Sequence, residues 1–328
     1  MFLRKGFYLL MSFVFGLTLL SGSSLYAQKD KDKGQDKAEI VNAEAVLWRE
    51  PTDITSRDLF LGPGGEASKP DLTNVTFVKE DVGGYSVKWN VRDGAGRKWV
   101  VKLGNEARTE TAAVRLVWAV GYVTEINYLA PCVHIQGAPK PRKKVDRCEN
   151  DGFADVRFEA RSEDVKRLDT WAWKGNPFTG KKELNGLVVL MALLNNWDLK
   201  GSNNKILQVT GADSQTERQY VISDLGATFG KTGGFISHSR NEPEKYVKTK
   251  FVEGVERSHV RFAFSGKQGS LLENISVADA KWIGGLLAQL SDEQLQDAFR
   301  AGNFTQEEIQ MLTQAVKARI NQLVNLPG

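Results

Sequence analysis

Apolar and polar residues alternate between Tyr85 and Val91: Tyr85, Val87, Trp89 and Val91 fall on one side, and Ser86, Lys88 and Asn90 on the other. A period of two marks a half-buried strand. The β-branched run Val75 to Lys79 precedes it across Gly83-Gly84. Lys98 to Leu103 follows it across the turn Asp93-Gly94-Ala95-Gly96. The pattern therefore predicts a three-stranded meander. The period then changes: Ala112, Ala113, Leu116, Val117 and Val120 recur at helical spacing within 109–120, and Gly121 stops the helix. Residues 122–129 read as a strand or a short connector, and 153–158 as a strand. Residues 183–195 read as a buried helix, and 205–209 and 219–222 as two short strands around a polar tip. The Gly-, Ser- and charge-rich stretch 231–268 predicts loops. The last part is helical, with one helix over 277–290, a second beginning at Ser291 with a capping pattern, and a third beginning at Thr305 that carries Ile309, Leu312, Val316 and Ile320.

Composition adds limits to this picture. The chain has 328 residues, 41% hydrophobic and 26% charged, enough for a substantial core in one large domain or two lobes. Arg4 and Lys5, the apolar segment from Phe7 to Leu20 and the small residues before Ala27 predict a secretory leader over 1–27. The Lys/Asp-rich residues 28–38 predict a disordered linker. No later segment is apolar enough to span a membrane, so the expected location is periplasmic or secreted. The net charge is +4, and +2 without Arg4 and Lys5, a balance that gives no argument for a nucleic-acid partner. Cys132 and Cys148 are the only cysteines. In an oxidising compartment they invite a disulfide around the basic stretch Lys140 to Lys144, with two free thiols as the alternative. With three histidines in the chain, no recurrent zinc spacing arises. Trp171 and Trp173 are expected to pack rather than to stack a ligand.

The polar residues that carry chemistry concentrate after the buried helix. Asp198-Leu199-Lys200 is followed by Asn203, and the second short strand ends in Asp224-Leu225-Gly226. Phosphoryl transfer from a nucleotide needs a cation on the phosphates, oxygen ligands for magnesium and a group that positions the nucleophile. Asp198 is the candidate for the acceptor hydroxyl and Lys200 for the transferred phosphoryl. Asn203 and Asp224 are the candidate magnesium ligands. Lys102, on the third strand, is the candidate for the phosphates, paired with Glu110 or with its rival Glu106. Gly83 and Gly84 would let the backbone approach the phosphates.

The order of these parts resembles the protein-kinase-like superfamily, and its compressed first lobe is similar to the atypical HipA-type and phosphoinositide-kinase-like branches. The resemblance runs over roughly residues 73–230. It implies an α+β, bilobal fold with a small antiparallel β lobe over 39–135 and a mainly helical lobe over 136–328. It also implies ATP and Mg2+ in the cleft and a hydroxyl-bearing acceptor. The chain departs from the pattern in three respects. It has no Gly-x-Gly-x-x-Gly, Asn196-Trp197 stands where the family has His-Arg, and no Ala-Pro-Glu follows Asp224. An exported phosphotransferase, an inactive kinase-like binding or scaffold protein, and an unrelated α+β binding protein are the three readings the sequence supports.

Overall fold

A computed structural model describes residues 43–210, 215–233 and 238–327. The expected leader and linker lie outside the described residues. Among the described residues the fold has twelve short strands and six helices.

The meander forms as β2 (Val75–Asp81), β3 (Val87–Arg92) and β4 (Lys98–Leu103), all antiparallel neighbours. Helix α1 (Glu106–Ala119) follows, beginning three residues earlier than its apolar period suggests. Strands β5 (Asn127–Val133), β6 (Ile135–Gln136) and β7 (Phe153–Ala160) complete a six-stranded sheet of order β5-β7-β4-β3-β2-β6. The alternation places Val87, Trp89 and Val91 with Trp99, Val101, Leu103, Val156 and Phe158 in one apolar cluster. Tyr85 is a correction: it lies outside the strand and is 74% exposed. The opposite face of the same strands carries polar side chains toward a cavity.

A second sheet has order β1-β10-β9-β8, from β1 (Glu44–Val46), β8 (Val165–Asp169), β9 (Asn204–Thr210) and β10 (Thr216–Ile222). Helix α2 (Lys182–Leu193) is apolar on nearly every side and is buried in the larger core. Around it lie α4 (Val277–Leu287), α5 (Asp292–Ala301) and α6 (Gln306–Val324), the last two opened by complete capping boxes at Ser291 and Thr305. Trp171 and Trp173 are buried in this core, as packing required.

Two sequence expectations need correction. The β lobe does not end at 135: β7 inserts between β5 and β4. Nor does it begin at 39, because β1 pairs in parallel with β10, and Leu47, Ile54 and Leu59 belong to the larger core. The stretch 231–268 is not all loop: it contains α3 (Pro243–Val247) and the hairpin of β11 (Val252–Glu256) with β12 (His259–Phe262). Alternation there is masked by Gly254 and by the left-handed turn at Arg257-Ser258. The α+β class, with a small antiparallel lobe and a mainly helical one, is as expected.

Cys132 and Cys148 form a disulfide. The insert it closes is not merely solvated. Arg142 donates to the carbonyls of Val82, Gly84 and Ser86 and pairs with Glu80, and the Lys143 ammonium lies 3.0 Å from the Tyr85 ring centroid. The insert thus grips the β2–β3 turn. Replacing both cysteines by serine should cost about 3 kcal/mol by loop-closure entropy, measured by urea unfolding; an unchanged midpoint would show that Arg142 alone holds the insert.

Candidate active site

The β4 strand delivers Lys102 to the inner wall of a cavity of about 1030 Å³. Its ammonium is buried and meets three carboxylates: Glu110 at 2.6 Å, Asp224 at 3.2 Å and Glu106 at 3.3 Å. Both helix residues proposed from sequence therefore reach it, and Glu110 is the closer. Glu110 also pairs with Arg157 of β7 at 2.9 Å. Burial works against the lysine charge, yet Glu110 and Asp224 outweigh it and raise the pKa of Lys102 above its ordinary value. Burial likewise opposes ionisation of Asp224, but Lys102, Lys88 and the Gly226 N–H hold its carboxyl below the usual range.

The Asp224-Leu225-Gly226 turn is packed directly on α1. A Cβ at Gly226 would stand 2.7 Å from Glu106 Cβ, and Thr109 Oγ1 donates to the Gly226 carbonyl at 2.9 Å. Glycine is required there by contact, and that contact is what lets Asp224 and Glu106 share one lysine.

Across the cavity, Asp198 follows α2 through Asn195, which takes a left-handed backbone (φ 55°). Arg319 of α6 fixes this passage by donating to Leu193 O at 2.6 Å and to Asn195 Oδ1 at 3.1 Å. The Asp198 carboxylate lies 3.0 Å from Lys200 Nζ and 2.7 Å from Lys267 Nζ. Asn203 Nδ2 donates to the Asp198 carbonyl at 2.7 Å. Burial opposes the charge of Asp198, and bonds from Lys267, Lys200 and Asn203 hold its carboxyl below the ordinary range. Gly83 and Gly84 line the same cavity. The Gly83 N–H, however, donates to its neighbour Asp81 at 2.9 Å, so that amide faces its own chain's carboxylate.

Three residues of the site carried no signal in the sequence. Lys267 arrives because its N–H bonds Trp197 O at 2.8 Å, in a stretch read as loop. Arg240 pairs with Glu106 and lies 4.7 Å from the Trp197 ring centroid. Trp197 stacks on His238 and donates through Nε1 to Ser239 O. Trp197 therefore anchors the segment that brings Arg240 to the cleft. Arg157 is the third; its strand was legible, but its neighbours were not.

Behind Asp224, Ser223 Oγ donates to Glu125 at 2.6 Å, and Arg167 bridges Glu125 and Glu159. Burial, and then the neighbouring Glu159, push the Glu125 carboxyl up to about 7.

No family model matches the chain, and no curated protein matches it. Among solved structures it is similar to a Helicobacter pylori proinflammatory kinase, CtkA, with 11% identity and a TM-score of 0.46, over 78% of this chain and 97% of that one. It is also similar to the Rio2 kinase of Chaetomium thermophilum, crystallised as an ADP/Mg2+-phosphoaspartate complex, with 13% identity and a TM-score of 0.32, over 78% and 74% of the two chains. A Golgi casein kinase follows at 11% identity and a TM-score of 0.35, over 78% and 73%. Each of these neighbours is a kinase. At such scores the functional reading rests on the geometry above.

Two outcomes test this geometry. Glu110→Ala leaves Lys102 and Arg157 facing each other without their shared carboxylate and should destabilise the fold by about 3–5 kcal/mol, whereas Glu106→Ala, whose second partner Arg240 is partly exposed, should cost clearly less in the same urea titration. Glu125, with its folded pKa raised above the unfolded value, contributes stability at acid pH that is lost as pH rises from about 4.5 to about 7. Glu125→Gln should remove that slope from the melting temperature measured between pH 5 and 7.5; a variant with an unaltered slope would assign it to another group.

Proposed function

We propose that the protein is an exported kinase-like phosphotransferase that uses ATP and Mg2+ to phosphorylate a hydroxyl group of a small molecule, lipid, glycan or protein, and that it belongs to the atypical side of the protein-kinase-like superfamily. The observation that carries the reading is the buried Lys102, held at once by Glu110 and Asp224 on one wall of the cavity that Asp198 and Asn203 line on the other. A structural ion pair needs one acid. A lysine shared by a helix acid and an acid at the end of a strand-turn, facing a second acid across a cleft, suits a polyphosphate held between a cation and a metal.

The residues fit a magnesium ion. Among the described residues no cluster of three or more His, Cys, Asp or Glu stands ready to hold a metal. Magnesium does not demand one, since it keeps several waters and binds through one or two protein oxygens plus the phosphates. Asp224 supplies a carboxylate. Asn203 directs its amide NH2 to Asp198, so its amide oxygen is the end left to accept. When bound, the ion would neutralise charge on the phosphates. Lys102 would hold the phosphate chain in line. Asp198, fully ionised at neutral pH, would receive the acceptor's O–H as a hydrogen bond and aim its oxygen. As a weak base, Asp198 contributes orientation more than early proton removal. Lys200 would leave Asp198 for the transferred phosphoryl group and offset its charge.

Export is supported by the expected leader and by the Cys132–Cys148 disulfide. Among the described residues no helix is long and apolar enough to cross a membrane.

One observation favours the second reading, a catalytically silent binding or scaffold protein: two ammonium groups already saturate the Asp198 carboxylate. The test is a thermal shift of the purified protein with ATP, with and without Mg2+, beside Asp224→Asn. A magnesium-dependent rise in Tm, lost in the variant, is expected from mass action. A shift indifferent to magnesium and to Asp224 would favour the scaffold reading.

A further inference from the structure

The inner end of the cavity is built from charge where a purine ring would need apolar walls. Strand register puts the cavity-facing residues of β3, β4 and β7 in two rows. Lys88 lies opposite Lys102, and Lys102 opposite Arg157; in the next row Asn90 lies opposite Val100, and Val100 opposite Glu159. Of these six, Val100 alone is apolar. The facing wall adds Lys205 and Ser223, both polar. Arg161 and Arg167 close the end, their guanidinium groups held by Glu159.

The aromatic side chains that line the cavity gather around Arg240 instead. Tyr85 and Trp197 both lie against Arg240, 5.6 Å and 4.7 Å from their ring centroids. A base placed between the rows of charge would strip water from Lys88, Lys205 and Asn90 with no partner to replace it, a cost that planar stacking on one valine does not offset.

A chain of phosphates meets the opposite situation. Lys102 and Arg157 share Glu110. Lys88, half-buried in the same row, acts on Asp224 through its charge but makes no ion pair or hydrogen bond to a carboxylate among the described residues. Lys205 across from it bonds the Ser202 carbonyl at 2.9 Å. Each cation brought onto a phosphate oxygen forms a charge-assisted bond in a partly desolvated site.

We propose that the cleft binds its donor through the phosphate chain alone, with Lys88 and Lys205 as a second phosphate subsite behind Lys102, so that inorganic tripolyphosphate is held as well as a nucleoside triphosphate. The proposal rests on the phosphotransferase reading and specifies which part of the donor that cleft recognises.

Titration calorimetry on the purified protein, with Mg2+ present, tests it. The ligands are ATP, GTP, CTP, inorganic tripolyphosphate and adenosine. The expected result is one Kd within about threefold across the four triphosphates and no binding of adenosine. Lys88→Gln, a substitution on a half-exposed side chain, should weaken every triphosphate about tenfold, the scale of one charge-assisted bond. Lys205→Gln should do the same, and both losses should shrink as salt rises. ATP binding ten times tighter than tripolyphosphate, or a preference for one base, overturns the proposal and leaves the phosphotransferase reading intact. So does equal binding that neither lysine variant weakens. Failure of every triphosphate to bind overturns both.

Discussion

One lysine ammonium ties the molecule's working parts together. Lys102 comes from the sheet, Glu106 and Glu110 from the helix that follows it, and Asp224 from the turn after the β9–β10 hairpin. A buried ammonium with no counter-charge is among the costliest features a fold can contain. With three carboxylates around it the cluster is net negative, and Arg157 and Arg240 restore the balance by taking Glu110 and Glu106. Removing any one member leaves the others buried with the wrong charge. Sheet, helix and the Asp224 turn are therefore positioned by a requirement for neutrality, and the apolar cores on either side supply the free energy that allows it.

The same requirement explains why the cleft takes up distant segments. Arg240 and Lys267 come from the stretch after Asp224, and each ends on a carboxylate of the site: Arg240 on Glu106 and Lys267 on Asp198. Their delivery is mechanical. Trp197 is anchored by stacking on His238 and by its bond to Ser239, and the backbone pairing of Asp198 with Lys267 runs alongside. The β2–β3 turn is held from outside, by Arg142 on the disulfide-closed insert. The cleft thus has one wall set by electrostatics, and a rim set by packing and a covalent loop.

This division also governs what was readable in the sequence. Elements with an unbroken local period were legible: β3 by alternation, α2 by its continuous apolar run, α5 by its capping pattern and α6 by the spacing of Ile309, Leu312, Val316 and Ile320. Lys102, Glu110, Asp198, Asn203 and Asp224 could be singled out as candidates because each stands at a fixed place relative to such an element. The rivalry of Glu106 and Glu110 could not be settled from spacing, since one turn of α1 presents both acids to the same ammonium. Arg157, Arg240 and Lys267 were not legible, because what defines them is a partner across the cleft. The lobe boundary failed for the same reason. Strand β7 enters the first sheet only after the insert closed by Cys132–Cys148, and β1 leaves its sequence neighbours to pair with β10.

Asp198 shows how the two kinds of constraint meet. Its carboxylate is held below the ordinary range and is met on each oxygen by one lysine, with Asn203 beside it. Both lysines are fixed through their own backbones, the Lys267 N–H bonded to Trp197 O at 2.8 Å and the Lys200 N–H to Asp198 O at 2.7 Å, and both side chains are about half exposed. In the phosphotransferase reading proposed above, an acceptor hydroxyl at Asp198 would take the place of one of these two ammonium groups. Exchange of one ion pair for another at nearly constant local charge avoids the desolvation cost that a bare carboxylate would meet in this cleft. The two ion pairs of Asp198 leave this part of the cleft with one positive charge in excess, which suits an anionic ligand in that reading.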